Sequence, residues 1–466
     1  MGSLALVAAC GAVLVPLHGS TPNVEGTAHA AAPMQFPASA AASPEAVNPL
    51  QSLVATADGP EGRLIAAYVA LGAGDGRKAL ALTQELVRDH PEFALAQLLY
   101  GDLLATRAGV PSSFGQDGQA APSAADERRR ALHDEALRRL AALRERPPAG
   151  KVPAEFAQLP ATIRHAVAVD ASRSRLYLFT NGPEGLKFER DIYVSIGKQG
   201  MAKRVEGDKR TPLGVYWITA AVPDTHLDER FGKAALRFNY PNAFDRLSGR
   251  TGFGLYLHGV PTNVMNHVPW ATDGCVAMSN DDVTRLHKLL ELDSTPVVIA
   301  SELNWVAPQD AQQAAAEFRP AYIAWDNARR SADLKDLEAW YDANVPVPRD
   351  TVQDTRERDD VSFVAWYGDA APMMIVTARR TAEPGAETYR QYWVQRNGQW
   401  RILFDGPVSV SERGATQIAL APEDAEPKPV RQRAQATETK KNKKDKRRRA
   451  EERRTAERRS AGADNS

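Results

Sequence analysis

Only two cysteines, Cys10 and Cys275, occur in 466 residues. A chain this poor in thiols cannot rely on a disulfide framework. Positive charge is missing where an export signal usually carries it: no Lys or Arg precedes the apolar run Leu4 to Leu17. That run is short for a bilayer span and suits the hydrophobic region of a signal peptide, with Ala28-His29-Ala30 as a small-x-small cleavage site. A clipped start would account for the absent charge. Residues 421–466 hardly contain an apolar side chain, which excludes a packed core and predicts disorder. No motif with evident chemistry stands before residue 160.

What is present is ordinary in bulk and uneven in detail. Hydrophobic residues make up 43% and charged residues 25%, as in globular proteins generally. The length exceeds one compact core and suggests about three domains. The formal net charge is zero, yet from Arg431 to Arg459 fourteen Lys/Arg face five Asp/Glu, so a tail of +9 is attached to a body of −9. In an exported protein such a tail suits anionic envelope polymers or lipid surfaces, or is simply solvated and without function, and no nucleic-acid partner is expected. "VAAC" at 7–10 is also similar to a lipoprotein processing box, so a lipidated or uncleaved N-terminus, associated with the membrane, stands beside cleavage and release to the periplasm.

The organisation follows from periodicity. Residues 1–30 read as the signal-like segment and 31–58, rich in Ala, Pro, Ser and Gln, as a linker. Residues 59–148 are helical, with a turn at 72–76 and a break at His90-Pro91, and the short Ala-rich helices resemble a tetratricopeptide hairpin. The charged amphipathic helix over 125–146 is expected to carry its charges on a solvated face. From Ile163 the pattern changes to period two, with Val167, Val169, Leu176, Leu178 and Phe179 as inward candidates. "GFGLYLHG" (252–259) reads as a strand ending on His258, and 280–292 as a helix capped by Asn280. Residues 160–302 thus form a mainly-β domain. After Pro308, two helices and four short strands make an α+β module over 308–412, with Asn397-Gly398 as a hairpin turn.

Cys275, with no intramolecular partner once the N-terminus is removed, is a buried inert thiol, one half of an intermolecular bridge, or the candidate nucleophile in "ATDGCVAM". A thiol needs a base within reach. His18 and His29 fall in the presequence, His90 and His133 in the helical region, and His165 and His226 show no partner in the sequence; His287 lies on the helix after the cysteine. His258, at a strand end, is held more firmly than His267, in the loop before the cysteine, so His258 is the candidate base and His267 at most a substrate contact. Gly274 allows a tight turn that frees amide groups for an oxyanion, and Thr272 can bond that turn or the substrate. Asp273 would oppose thiolate formation unless its carboxylate points away.

These residues resemble a known family. "LYLHG", sixteen intervening residues between His258 and Cys275, then "TDGCVAM", with "GDKRTPLGVYWI" upstream (207–218), is similar to the L,D-transpeptidase (YkuD) catalytic domain over about residues 162–302. The resemblance implies Cys275 as nucleophile, His258 as base and the Gly259 carbonyl orienting the imidazole. It also implies a peptidoglycan tetrapeptide stem, attacked at the diaminopimelate carbonyl with loss of terminal D-Ala, and no cofactor or metal. Many members carry His at the position of Asp273 and Arg at that of Ala277. The chain is closer to a YafK-like branch, some of whose members hydrolyse lipoprotein links. Arg210, Lys209 or Arg250 would then meet the substrate carboxylate. The C-terminal module resembles the cone-shaped SnoaL and nuclear-transport-factor-two fold, with Trp325, Trp340, Tyr341, Trp366 and Trp393 as core or ligand-lining aromatics. The rival to an acyl-transferase or hydrolase is a non-catalytic envelope scaffold.

Overall fold

The computed structural model describes residues 59–109, 123–223, 227–331, 334–353, 355–368, 371–379 and 387–408. The signal-like segment, the linker, the basic tail and His226 lie outside the described residues. Four helices come first: α1 (Gly59–Gly72), α2 (Gly76–Asp89), α3 (Ala94–Arg107) and α4 (Ala124–Arg144). Asp75 caps α2 by accepting from the Lys78 amide. Ser123 and Asp126 form a reciprocal capping box on α4, which satisfies two amides that the helix itself cannot. Leu64, Leu86, Phe93, Leu99 and Leu132 are shared in one apolar cluster among the four helices.

Helix α4 differs from expectation in that not all of its charge lies on the solvated face. Leu132, Glu135, Ala136, Arg139, Ala142 and Leu143 are all buried on it. Its charge hides this, because the buried stripe itself contains an ion pair: Arg139 bonds Glu135 at 2.9 Å and Glu61 at 2.5 Å, and lies 3.7 Å over the Tyr193 ring.

The central sheet has eight strands. After β1 (Val152–Pro153) come β2 (His165–Asp170), β3 (Arg175–Gly182), β4 (Gly185–Tyr193), the short β5 (Ile196–Gly197), β6 (Gly214–Pro223), β7 (Ala234–Phe238), helix α5 (Ala243–Leu247), β8 (Tyr256–His258), β9 (Trp270–Thr272), β10 (Val276–Ala277), helix α6 (Asn280–Leu289), β11 (Pro296–Ala300) and β12 (Trp305–Val306). The sheet order is β10-β8-β7-β6-β11-β2-β3-β4, with β10–β8 and β11–β2 parallel and the rest antiparallel. Both faces are covered. Val167, Val169, Leu176 and Leu178 pack with Val283 and Leu286 of α6. Ala166, Ala168, Tyr177, Phe179 and Trp217 face the other way. Phe179 therefore does not share the inward face of its neighbour Leu178, as successive side chains on a strand diverge.

Two boundaries differ from expectation. β8 begins only at Tyr256, because Gly252 and Gly254 sit at positive φ, +117° and +67°, where an extended strand cannot form. Helix α6 is capped by Ser279, whose hydroxyl accepts from the Asp282 amide, and not by Asn280. His165, expected to lack a partner, meets Glu291 at 3.3 Å.

The C-terminal module consists of α7 (Pro308–Arg330), α8 (Leu334–Glu338), α9 (Arg349–Gln353) and an antiparallel meander of β13 (Asp360–Trp366), β14 (Met373–Arg379), β15 (Tyr389–Arg396) and β16 (Gln399–Pro407). Asn397 and Gly398, both at positive φ, join the last two strands. One face of this sheet packs on α7 through Phe318, Tyr322, Trp325, Phe363 and Trp393. The other, with Val364, Trp366, Met373 and Tyr392, lies against the central sheet. Arg390 stacks 3.6 Å over Trp217 across that seam. Trp325, Trp393 and Tyr341 belong to the core, Trp366 to the opposite face, and Trp340 is half-buried.

Candidate active site

The strand that follows Cys275 lies directly beside the one that ends on His258. β10 and β8 run parallel with Ala277 opposite His258 and Val276 opposite Leu257. The Met278 amide donates to the His258 carbonyl at 2.9 Å, and β10 is held on its other side by Ser195, through Ala277, at 2.8 and 2.9 Å. Cys275 thus enters the sheet two residues ahead of the position that faces His258. Both side chains are buried, at 5% and 6% exposure, in a setting where electrostatic interactions are weakly screened. The thiol contacts the Gly254 carbonyl at 3.8 Å.

His258 is fixed by its own chain. Its Nδ1 lies 2.6 Å from the Gly259 carbonyl, an oxygen that can only accept. Nδ1 therefore carries the hydrogen, and Nε2 is left as the acceptor. The Phe231 ring meets the imidazole edge-on at 5.0 Å. Burial holds the histidine well below its usual range, at about 4; the Gly259 hydrogen bond opposes this, while His267 and Arg230 add to it. At neutral pH the ring is uncharged and free to take a proton.

Asn280, expected only as a helix cap, secures the turn behind the histidine. Its Oδ1 accepts from the Lys233 and Val260 amides at 2.9 and 3.3 Å, and its Nδ2 donates to the Val260 carbonyl at 2.8 Å. A β-carbon on Gly259 would stand 2.2 Å from that Oδ1. Its place two residues after Met278, in a helix start with no apolar role, is the one signal the sequence offered.

The turn before Cys275 is equally tight. Thr272 Oγ1 donates to the Cys275 carbonyl at 2.7 Å and accepts from the Gly274 amide at 3.1 Å, so its hydroxyl is committed to the turn. Gly274 has φ +128°, and a β-carbon there would meet the Arg210 carbonyl at 2.8 Å. The Asp273 carboxylate points to Lys198, 3.2 Å away.

The remaining candidates separate. Lys209 and Arg210 are exposed, with their backbone against Gly197 and Gly274; Arg210 donates to the Met201 carbonyl. Arg250 is drawn elsewhere, bonded at 2.9 Å to the buried Asp245 and stacked on Phe244. His267 has its carbonyl bound by Tyr193 and Ser195, and its imidazole is near enough to His258 to influence its ionisation. Burial, then Lys198, lowers its own pKa. Among the described residues no group of three His, Cys, Asp or Glu side chains is arranged to hold a metal ion.

Comparison with known proteins agrees on the domain. Residues 164–299 match the YkuD family, the L,D-transpeptidase catalytic domain. No curated protein matches the chain. Among solved structures, Bd1075 of Bdellovibrio bacteriovorus is similar at 20% identity and TM-score 0.45, covering 55% of this chain and 98% of its own. The helical cell shape determining protein Pgp2 of Campylobacter jejuni is similar at 17% identity and TM-score 0.42, covering 52% and 91%.

Proposed function

We propose that the chain, whose residues 164–299 form an L,D-transpeptidase catalytic domain, is an exported cysteine acyl-transferase acting on peptidoglycan stem peptides. The observation that carries the reading is the parallel pairing of β10 on β8, with a neutral His258 whose Nδ1 is engaged by Gly259. His258 Nε2 takes the Cys275 proton as sulfur attacks the diaminopimelate carbonyl. The Gly274 amide is held by Thr272 Oγ1 at 3.1 Å and would have to leave it to face the tetrahedral oxyanion. Collapse expels D-Ala, whose amine receives the proton from His258, and leaves a thioester. An incoming stem amine, a protein amine or water then releases the acyl group, with His258 again relaying a proton.

A hydrolytic outcome has one observation in its favour. Ala277 offers no guanidinium, and Arg250 is paired with Asp245, so Lys209 and Arg210 are the remaining candidate cations for a substrate carboxylate. That is the pattern of the YafK-like resemblance. In this reading the helical region is a tetratricopeptide-like accessory module, the C-terminal module a SnoaL-like one, and the site of action the periplasm.

Purified full-length chain incubated with diaminopimelate-containing muropeptides, beside Cys275→Ala, tests the proposal. Mass analysis distinguishes 3-3 crosslinks from trimmed stems. Product from the intact protein alone supports the enzyme; product from neither, or equally from both, overturns it.

A further inference from the structure

The segment joining His258 to Cys275 is held from outside the catalytic domain, by helix α4. Trp270, which opens β9 five residues before the nucleophile, donates its indole N–H to Asp134 Oδ2 at 3.1 Å. The Arg138 guanidinium covers the same indole at 4.8 Å and bonds Asp134 at 3.1 Å, one turn away on α4. The next residue on the helix, Glu135, accepts from Asn266 Nδ2 at 2.8 Å. Met265 N donates to the Glu92 carbonyl at 3.2 Å, and Met265 and Val268 pack on the helical cluster. His267 lies between these tethers.

From Trp270 the constraint runs to the nucleophile through two short steps. β9 pairs with β5, Ile196 opposite Trp270 and Gly197 opposite Thr272. Thr272 Oγ1 in turn bonds both the Gly274 amide and the Cys275 carbonyl. The clamp on Trp270 thus lies two residues along the same short strand from the hydroxyl that fixes the Cys275 turn. Misplacing a reacting atom by about 1 Å can cost about a hundredfold in rate.

We propose that Asp134 and Arg138 are positioning residues for the nucleophile: helix α4 clamps Trp270 and thereby sets the Cys275 turn. The proposal rests on Cys275 being the nucleophile. It assigns the helical module a role in the site to which no residue before 160 was expected to contribute.

The test uses the full-length chain and two readouts. Hydrogen exchange in peptides covering 266–275 reads the clamp without any substrate, and kcat and KM on stem peptides read its consequence. Asp134→Ala and Trp270→Phe each remove the indole hydrogen bond; Asp134→Asn keeps an acceptor. Exchange over 266–275 should rise roughly tenfold in the first two, with β13–β16 unchanged. Their kcat should fall roughly tenfold with KM little altered, and Asp134→Asn should recover most of both. Unchanged exchange and kcat overturn the proposal, as does a rise in exchange throughout the chain or an Asp134→Asn no better than Asp134→Ala. If no stem peptide is turned over, the exchange arm still decides the clamp, and only the reaction assigned to Cys275 fails.

Discussion

His258 gives its Nδ1 hydrogen to the carbonyl of its own successor, Gly259, at 2.6 Å. The imidazole is thus oriented by a backbone group that no side-chain substitution removes, while burial keeps it neutral with a pKa of about 4.

A pH dependence follows. In the unfolded chain a histidine titrates near 6.5, so between about pH 6.5 and 4 the unfolded state binds more protons than the native one. Stability should fall as pH drops through that window, by about 3 kcal/mol in full for this group. Melting temperatures across the window should fall less steeply for His258→Gln than for the parent.

Glu155 has the opposite sign. It is 4% exposed, its Oε2 has no hydrogen-bond partner among the described residues, and burial raises its pKa to about 7. An ordinary glutamate ionises near 4.3 when unfolded, so native stability is lost as pH rises from there to about 7. Glu155→Gln should stabilise the chain by up to about 3 kcal/mol at about pH 8 and by little near pH 4; denaturant unfolding at both values checks this.

Gly274→Ala should abolish turnover. The backbone at φ +128° strains any L side chain, and its β-carbon would meet the Arg210 carbonyl at 2.8 Å. Relief requires moving the turn that carries Cys275, at a cost of about 1–3 kcal/mol in strain. Loss of stem-peptide turnover with the melting temperature lowered by only a few degrees is the expected result.

Arg250→Ala should act on stability more than on substrate affinity. Its partner Asp245 is 1% exposed, and removing one member of such a pair costs about 3 kcal/mol. A lower denaturant midpoint with KM within about twofold is expected; a raised KM with unchanged stability would assign Arg250 to the substrate.

The placing of His258 at a strand end and of Cys275 behind a tight turn was legible in the sequence, because a strand end and a Gly-Cys turn are set by neighbouring residues and the period-two pattern located their sheet. Asn280 was misread because the Ser279 hydroxyl takes the cap, which frees Asn280 to bond the turn after His258. Helix α4 was misread because its buried stripe holds Arg139 and Glu135, satisfied by Glu61, Tyr193 and Asn266 from distant segments. Apolar periodicity cannot reveal a face whose burial is compensated by ion pairs. Arg250 was named as a cation to replace the Arg absent at Ala277, but its pairing with Asp245 depends on a burial that only the whole fold sets.

The most direct test of the central claim is the intact mass of the protein after brief exposure to a tetrapeptide stem. The account predicts an adduct equal to the stem less D-Ala, carried on the peptide containing Cys275, cleaved by hydroxylamine and absent from Cys275→Ala. A turned-over stem with no adduct on Cys275, or an adduct that persists in Cys275→Ala, would contradict it.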